Sequence, residues 1–185
     1  MKNSWIIGSV VGIVIICIYF FGTYSYIKQY DSASGVALKQ VLTFYDKKLE
    51  AVSSLIVVAQ SVLNTSGQRE MISNLSTAEG VYKDAVKDHD KIVGAKLVDG
   101  ALAQIKTEVN KNALLSSSKN VQAIGAEINA LELSTIQARD EYNLTVQKYN
   151  TVIKQVPSSF MAPLFGFETR DYFYDSTSNS GIIKQ

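Results

Sequence analysis

Asp88, His89 and Asp90 stand side by side in "KDHDK", the one place where the chain's single histidine has carboxylates beside it. Consecutive residues on a helix point roughly 100° apart, so these three cannot close on one metal as i, i+4 ligands can. His89 is therefore read as a polar member of a helix seam. Arg139, Asp140 and Glu141 could form an acid–base group, but Glu132 before Arg139 and Asn143 after it suit a buried or interhelical ion pair instead. Gly80, Gly94, Gly100 and Gly125 are isolated, so no loop cradles a phosphate, and neither a nucleophile motif nor a second histidine is present. The expectation is no catalytic residue, no metal and no cofactor: a protein that is not an enzyme.

The pairs Tyr142-Asn143 and Tyr149-Asn150 are the remaining chemical signal. Seven residues apart, the two tyrosines share a helix face and the two asparagines form a parallel row beside them. One reading makes them core tyrosines whose hydroxyls find partners across a bundle, with asparagines that fix register. The other makes them an exposed ladder that a protein partner recognises. The first is favoured, because both tyrosines fall on an apolar seam.

The elements that position these residues begin with an uncharged run from Asn3 to Ile27, longer than the roughly 20 apolar residues a bilayer-spanning helix needs. It outlasts the short apolar core of a cleaved signal peptide, and Phe20, Phe21, Tyr24 and Tyr26 follow where an interfacial aromatic belt would lie. Residues 1–28 are read as an uncleaved transmembrane anchor, 29–157 as a four-helix bundle and 158–185 as an aromatic, then polar, tail. A formal net charge of +1 with interspersed signs provides no basic field for nucleic acid. The only cysteine, Cys17, lies in the apolar run, so no disulfide is expected.

Past the anchor the periodicity is helical throughout. Leu38, Leu42, Tyr45, Leu49, Val52, Ile56, Ala59 and Leu63 form a seam that alternates spacings of four and three. "NTSG", Asn64 to Gly67, reads as a stop with Gly67 in a left-handed cap. A second helix is placed over 68–93, with Met71, Leu75, Ala78, Tyr82, Ala85, His89 and Ile92 on one face, and a turn near Gly94 or Asp99-Gly100. A third carries Leu97, Ala101, Ile105, Val109 and Leu114, and ends at "SSSKN". The fourth, from Lys119, has the seam Val121, Ile124, Ile128, Leu131, Thr135, Ala138, Tyr142, Thr145, Tyr149, Ile153, Val156. The fold class expected is all-α: one transmembrane helix continuing, coiled-coil fashion, into an antiparallel up-and-down four-helix bundle.

The chain resembles the LemA family of membrane-anchored bacterial helical proteins. Near the anchor it carries Gly22, Thr23, Tyr24, Asp31, Gln40, Val41, Tyr45, Lys47, Lys48 and Glu50 in the family's register. The C-terminal block is the specific part: Ala138, Arg139, Tyr142, Asn143, Tyr149, Asn150, Pro157, Ser158, Gly166, Phe167, Tyr172 and Phe173. The chain departs from the pattern at Ser53, at Asn112 and Ala113, and in having two lysines for an arginine pair. What the resemblance implies is a bacterial inner-membrane, single-pass scaffold or partner of membrane processes, one branch being associated with magnetosome formation, with no settled biochemical activity.

Two functions are open. The first is a membrane-tethered interaction module whose partners are the bilayer and either a membrane protein or a second copy. The alternative is a ligand-sensing four-helix ectodomain, which calls for an output element. Positive-inside counting between Lys2 and Lys28, Lys39 and Lys47 nearly ties, and an extracytoplasmic bundle is the orientation expected. If helices from Tyr26 to Leu63 and from Lys119 to Val156 match in length at roughly 57 Å, Pro157 releases the chain near the bilayer. Phe160, Met161, Leu164, Phe165, Phe167, Tyr172, Phe173 and Tyr174 would then lie at headgroup level with Tyr24 and Tyr26, or else plug the base of the bundle.

The seams carry a first prediction. Leu49→Asp or Ile128→Asp places an unpaired charge in the core and should cost several kcal/mol. Helical circular dichroism and cooperative melting of the detergent-solubilised chain should both suffer, and melting like the parent would mean the assigned face is wrong.

Overall fold

The computed structural model describes residues 2–63 and 65–173, with side chains from Gly8 onward. Among these residues the chain is helical, with no strand. Helix α1 (Lys2–Gln60) is followed by α2 (Ser66–Asp84), α3 (Asp88–Lys111), the single turn α4 (Ala113–Ser116), α5 (Lys119–Lys154) and the single turn α6 (Ser158–Met161). A 3-10 turn, Pro163–Phe165, comes last before an extended segment that runs to Phe173. Two compact units form: residues 1–39 with 139–185, and residues 40–138. Their boundaries fall inside α1 and inside α5.

The N-terminal part of α1 is long and apolar enough to cross a membrane. Its side chains from Val10 to Phe21, including Ile13, Ile15, Ile18 and Phe21, face outward without cover. Burying an apolar surface of that extent away from water is strongly favourable, which is compatible with a membrane span.

In the unit of residues 40–138, the expected seam of α1 is buried: Tyr45, Leu49, Val52, Ile56, Ala59 and Leu63 are all within the core. Leu42 is half-buried. Val121, Ile128, Thr135 and Ala138 of α5 are buried as well. The stop at 64–67 works differently from the expectation. Thr65 opens α2 with a capping box, its hydroxyl accepting from the Gln68 N–H while the Gln68 side chain accepts from the Thr65 N–H. Gly67 lies inside the first turn of α2 and takes no left-handed conformation; Asn64 lies outside the described residues.

The expected helix over 68–93 is two helices. Ala85, Val86 and Lys87 leave helical geometry, and Lys91 reaches back to donate from Nζ to the carbonyls of Tyr82 at 2.7 Å and Lys83 at 3.2 Å. These are two of the carbonyls that the end of α2 leaves without an intrahelical donor. "KDHDK" is therefore a helix start: Asp88 and Asp90 sit in the first turn of α3, where carboxylates complement the helix dipole. His89 is exposed there and not on a seam.

Gly94 is not a turn residue. It lies inside α3, and a Cβ on it would stand 2.6 Å from Tyr82 Cα and 2.8 Å from Tyr82 N. The absent side chain is what lets α2 and α3 meet backbone to backbone. Because α3 begins at Asp88, its buried face differs from the expected one. Ile92, Ala95, Val98, Leu102, Ile105 and Val109 are buried, while Leu97 (48% exposed) and Leu114 (73%) are outside. Asn112 ends α3 and caps α4, its Oδ1 accepting from the N–H groups of Leu114 and Leu115.

Gly94→Ala should destabilise the protein by about 1–3 kcal/mol, since the obstacle is backbone and cannot rotate away. Gly100→Ala, with nothing within 4 Å of its Cβ, should instead stabilise by up to about 1 kcal/mol through helix propensity. Thermal melts of the two variants beside the parent check the contrast; equal shifts would contradict the close approach at Tyr82.

Candidate functional site: the Tyr-Asn ladder and its strap

In the unit of residues 1–39 and 139–185, α5 presents Tyr142, Asn143, Tyr149 and Asn150 to the extended segment 168–173, the strap. The Tyr149 hydroxyl donates to the Glu168 carbonyl at 2.8 Å, and the Tyr142 hydroxyl to the Asp171 carbonyl at 2.8 Å. Asn150 takes both main-chain groups of Arg170: Nδ2 donates to the carbonyl and Oδ1 accepts from the N–H, each at 2.9 Å. That is how a neighbouring strand would satisfy the residue, with a side-chain amide in place of a backbone. Asn143 Oδ1 accepts from the Phe173 N–H at 2.9 Å.

The spacing has a geometric cause. Seven helical residues advance roughly 10.5 Å, and three extended residues advance roughly 10 Å. A tyrosine at every seventh position therefore meets a carbonyl at every third, 168 then 171, and the asparagines likewise meet 170 then 173. The strap runs antiparallel to α5, since its residue numbers rise as those of its helical partners fall.

Two strap side chains are anchored. Arg170 pairs with Asp31 of α1 (Nη2 to Oδ1 2.8 Å, Nε to Oδ1 3.2 Å) and lies 5.8 Å over the Tyr149 ring. Phe173, 2% exposed, meets Tyr142 edge-on at 5.6 Å, with the Arg139 guanidinium 5.5 Å over its ring. Burial, and then the nearby Asp31 charge, hold the Tyr149 phenol above its ordinary pKa, so its hydroxyl stays a donor. Glu168, Thr169 and Asp171 are exposed. Ordering six strap residues costs about 6–12 kcal/mol. Five hydrogen bonds near 1 kcal/mol each, burial of Phe173 at about 2 and the Arg170–Asp31 pair at about 1 offset about 8. The strap is held close to balance.

Upstream of the strap, Met161 and Ala162 are buried with Ile27, Tyr149, Val152 and Ile153. Gly166, with φ +71, ends the 3-10 turn and directs the chain into the strap. On the other side of this loop Phe160 (72% exposed), Leu164 (71%), Phe165 and Val156 face outward. Tyr24 meets Phe165 edge-on at 5.0 Å and Phe167 at 5.8 Å, while Tyr26 meets Tyr30 edge-on at 5.2 Å. Of the residues expected at headgroup level, Tyr24, Phe165 and half-buried Phe167 thus meet at the end of the apolar run, Tyr26 lies beside Tyr30, and Phe160 is exposed on the loop. Phe173 is taken into the ladder and Met161 into the core, each buried by apolar neighbours of this unit; Tyr172 is half-buried and Tyr174 lies outside the described residues. Pro157, after a cis peptide bond, closes the turn from α5 to α6.

Of the N-terminal motif residues, Tyr24 and Asp31 belong to the first unit, and Tyr45 and Lys48 form a second cluster in the unit of residues 40–138. Lys48 is 1% exposed and pairs with Asp99, which also accepts from the Tyr45 hydroxyl at 2.6 Å. Tyr82 stacks near Tyr45 and donates to Asp46 at 3.0 Å. Gln40 and Lys47 are exposed. Asp99 and Arg170, the charged partners in the two clusters, carry no sequence signal of these roles, since no spacing ties them to Lys48 or Asp31. Glu132 pairs with Lys106 at 2.8 Å and not with Arg139. An apolar groove of about 300 Å³ between Leu55, Val109, Val121 and Ile128 is where a ligand-sensing reading would place its ligand.

Burial holds the Asp99 carboxyl above its ordinary value; the Lys48 ammonium offsets part of this and the Glu132 charge adds to it. A carboxyl raised by folding binds its proton more tightly in the native state, so its contribution is fullest below the unfolded pKa and is lost as pH rises through the folded one. As pH rises above the unfolded carboxylate value of about 4, the parent should therefore lose stability relative to Asp99→Asn, because the folded carboxyl is held above that value. Melting curves that stay parallel across that rise would remove Asp99 as the titrating group.

Asp31, Tyr45, Lys48, Arg139, Tyr142, Asn143, Tyr149, Asn150 and Phe173 of these clusters are residues on which the chain resembles a known family. No curated protein matches the chain. The model of the LemA family matches residues 37–181, which cover the ladder, the strap and the Lys48–Asp99 pair, and by this match over most of its length the chain belongs to the LemA family.

Proposed function

We propose that this protein is a membrane-anchored, non-enzymatic scaffold of the LemA type, seated on the bilayer by its aromatic loop as well as by α1. In this reading α1 makes a single pass through the bacterial inner membrane, and residues 40–138 of α1, α2, α3 and α5 form an up-and-down bundle on the extracytoplasmic side. The observation that carries it is the contact of Tyr24 with Phe165 and Phe167. Tyr24 lies one turn before Lys28, the first charge after the apolar run. A loop in contact with it stands at headgroup depth, where Phe160, Leu164 and Phe165 turn outward as aromatic and apolar side chains favour. Covered on one side by the Met161 cluster and bare on the other, the loop is suited to a lipid surface. Two points of membrane contact resist tilting of the unit where a single helix would not, which is what a scaffold requires.

Tryptophan at position 160 (Phe160→Trp) in a Trp5→Phe background tests the contact in vesicles. Emission should be blue-shifted and strongly quenched by lipids brominated near the headgroup. Emission typical of water and indifferent to those lipids would overturn the interface reading and leave α1 as the only attachment.

A further inference from the structure

The ladder does more than hold a tail. Five hydrogen bonds between α5 and the strap end on main-chain groups of the strap, at Glu168, Arg170, Asp171 and Phe173. A core tyrosine needs one acceptor, and any would serve. Here four side chains at heptad spacing address four main-chain positions in one phase, and Asn150 addresses both groups of one residue. Such reading is tolerant of sequence, as in peptide grooves where main-chain bonds provide affinity and side-chain pockets select. The selection is also present: Asp31 and the Tyr149 ring take a guanidinium, and Tyr142 with Arg139 takes an aromatic ring three residues further on.

We infer that the Tyr-Asn ladder is a peptide-recognition groove whose ligand is an extended segment of a partner polypeptide with arginine at one position and an aromatic residue three positions later, and that the strap is its built-in occupant. The strap suits displacement. Glu168, Thr169 and Asp171 are exposed, and only Phe173 is fully buried. It leaves the folded loop at Gly166, the only described residue with positive φ. A tethered occupant competes at a high effective concentration, so a partner's segment engages only when it is itself concentrated at the same membrane or fits better than the strap. The inference goes beyond the scaffold reading by naming the recognition site, and it is tested in detergent without a bilayer. Its failure would leave the lipid contact standing, and the reverse.

The probe is a fluorescein-labelled peptide copying residues 167–173. Full-length protein carrying Arg170→Ala with Phe173→Ala keeps its ladder but lacks both strap anchors. It should bind the peptide at least tenfold more tightly than the parent, and adding Asn143→Ala with Asn150→Ala should abolish binding. N-methylation of the peptide at the arginine or the last phenylalanine should remove binding, whereas N-methylation at the tyrosine between them should not. Where the strap variant melts like the parent yet shows no peptide binding, or binds as well without the two asparagines, the groove is refuted. A photoreactive group at the peptide's tyrosine, used with the parent protein in excess peptide, provides a readout that needs no variant. Cross-links should map to α5 between Arg139 and Asn150, and cross-links elsewhere would overturn the assignment.

Discussion

The hydrogen bonds from Asn143 and Asn150 to the main chain of Phe173 and Arg170 set the register on which the rest of the first unit depends. With the strap in that register, Arg170 arrives at Asp31 and Phe173 between Tyr142 and Arg139. A shift of the strap by one residue would present side chains where main-chain groups are read, and would leave two buried phenols and two amides without partners. Unmade hydrogen bonds of this kind cost more than made ones return. One rise-matching relation, seven helical residues to three extended ones, thus specifies the register of a segment that has no secondary structure of its own.

The second unit is organised by a buried charge. Lys48 is almost wholly removed from water, and Asp99 with Tyr45 surrounds its ammonium group. Removing either partner would leave an uncompensated ion, so the network disfavours alternative pairings of α1 and α3 more strongly than it adds net stability. Beside it, the approach of Gly94 to Tyr82 brings α2 and α3 together, and Lys91 ties the end of α2 by its carbonyls. Polar specificity and one missing side chain define this unit as much as its apolar seams do.

The end of the apolar run joins the first unit's constraints to the proposed function. Tyr149 contributes to the core under the aromatic loop and to the ladder in the same side chain. The loop that meets Tyr24 therefore leads directly into the strap, and the proposed recognition groove would lie within a few residues of the proposed lipid-facing turn. An anchored scaffold with its groove near the surface would favour partners confined to the same bilayer, where the search is two-dimensional and local concentration is high.

Much of this was legible in the residues. The uncharged run, the seams of α1 and α5 and the family's Tyr-Asn blocks are local patterns, and a helix repeats its faces with a fixed period, so Leu49, Val52, Tyr142 and Tyr149 could be placed in the interior from spacing alone. The acids of "KDHDK" also carried a helix start, though the uninterrupted apolar spacing from Met71 to Ile92 hid the break at Ala85–Lys87. What the tertiary structure decided is which groups meet across distance. Asp31 with Arg170, Lys48 with Asp99, Gly94 against Tyr82 and the ladder against the strap join residues whose separations follow no period. Whether a repeated tyrosine faces a core, a partner or the chain's own tail depends on what the rest of the chain brings to it, and a local pattern contains no record of that.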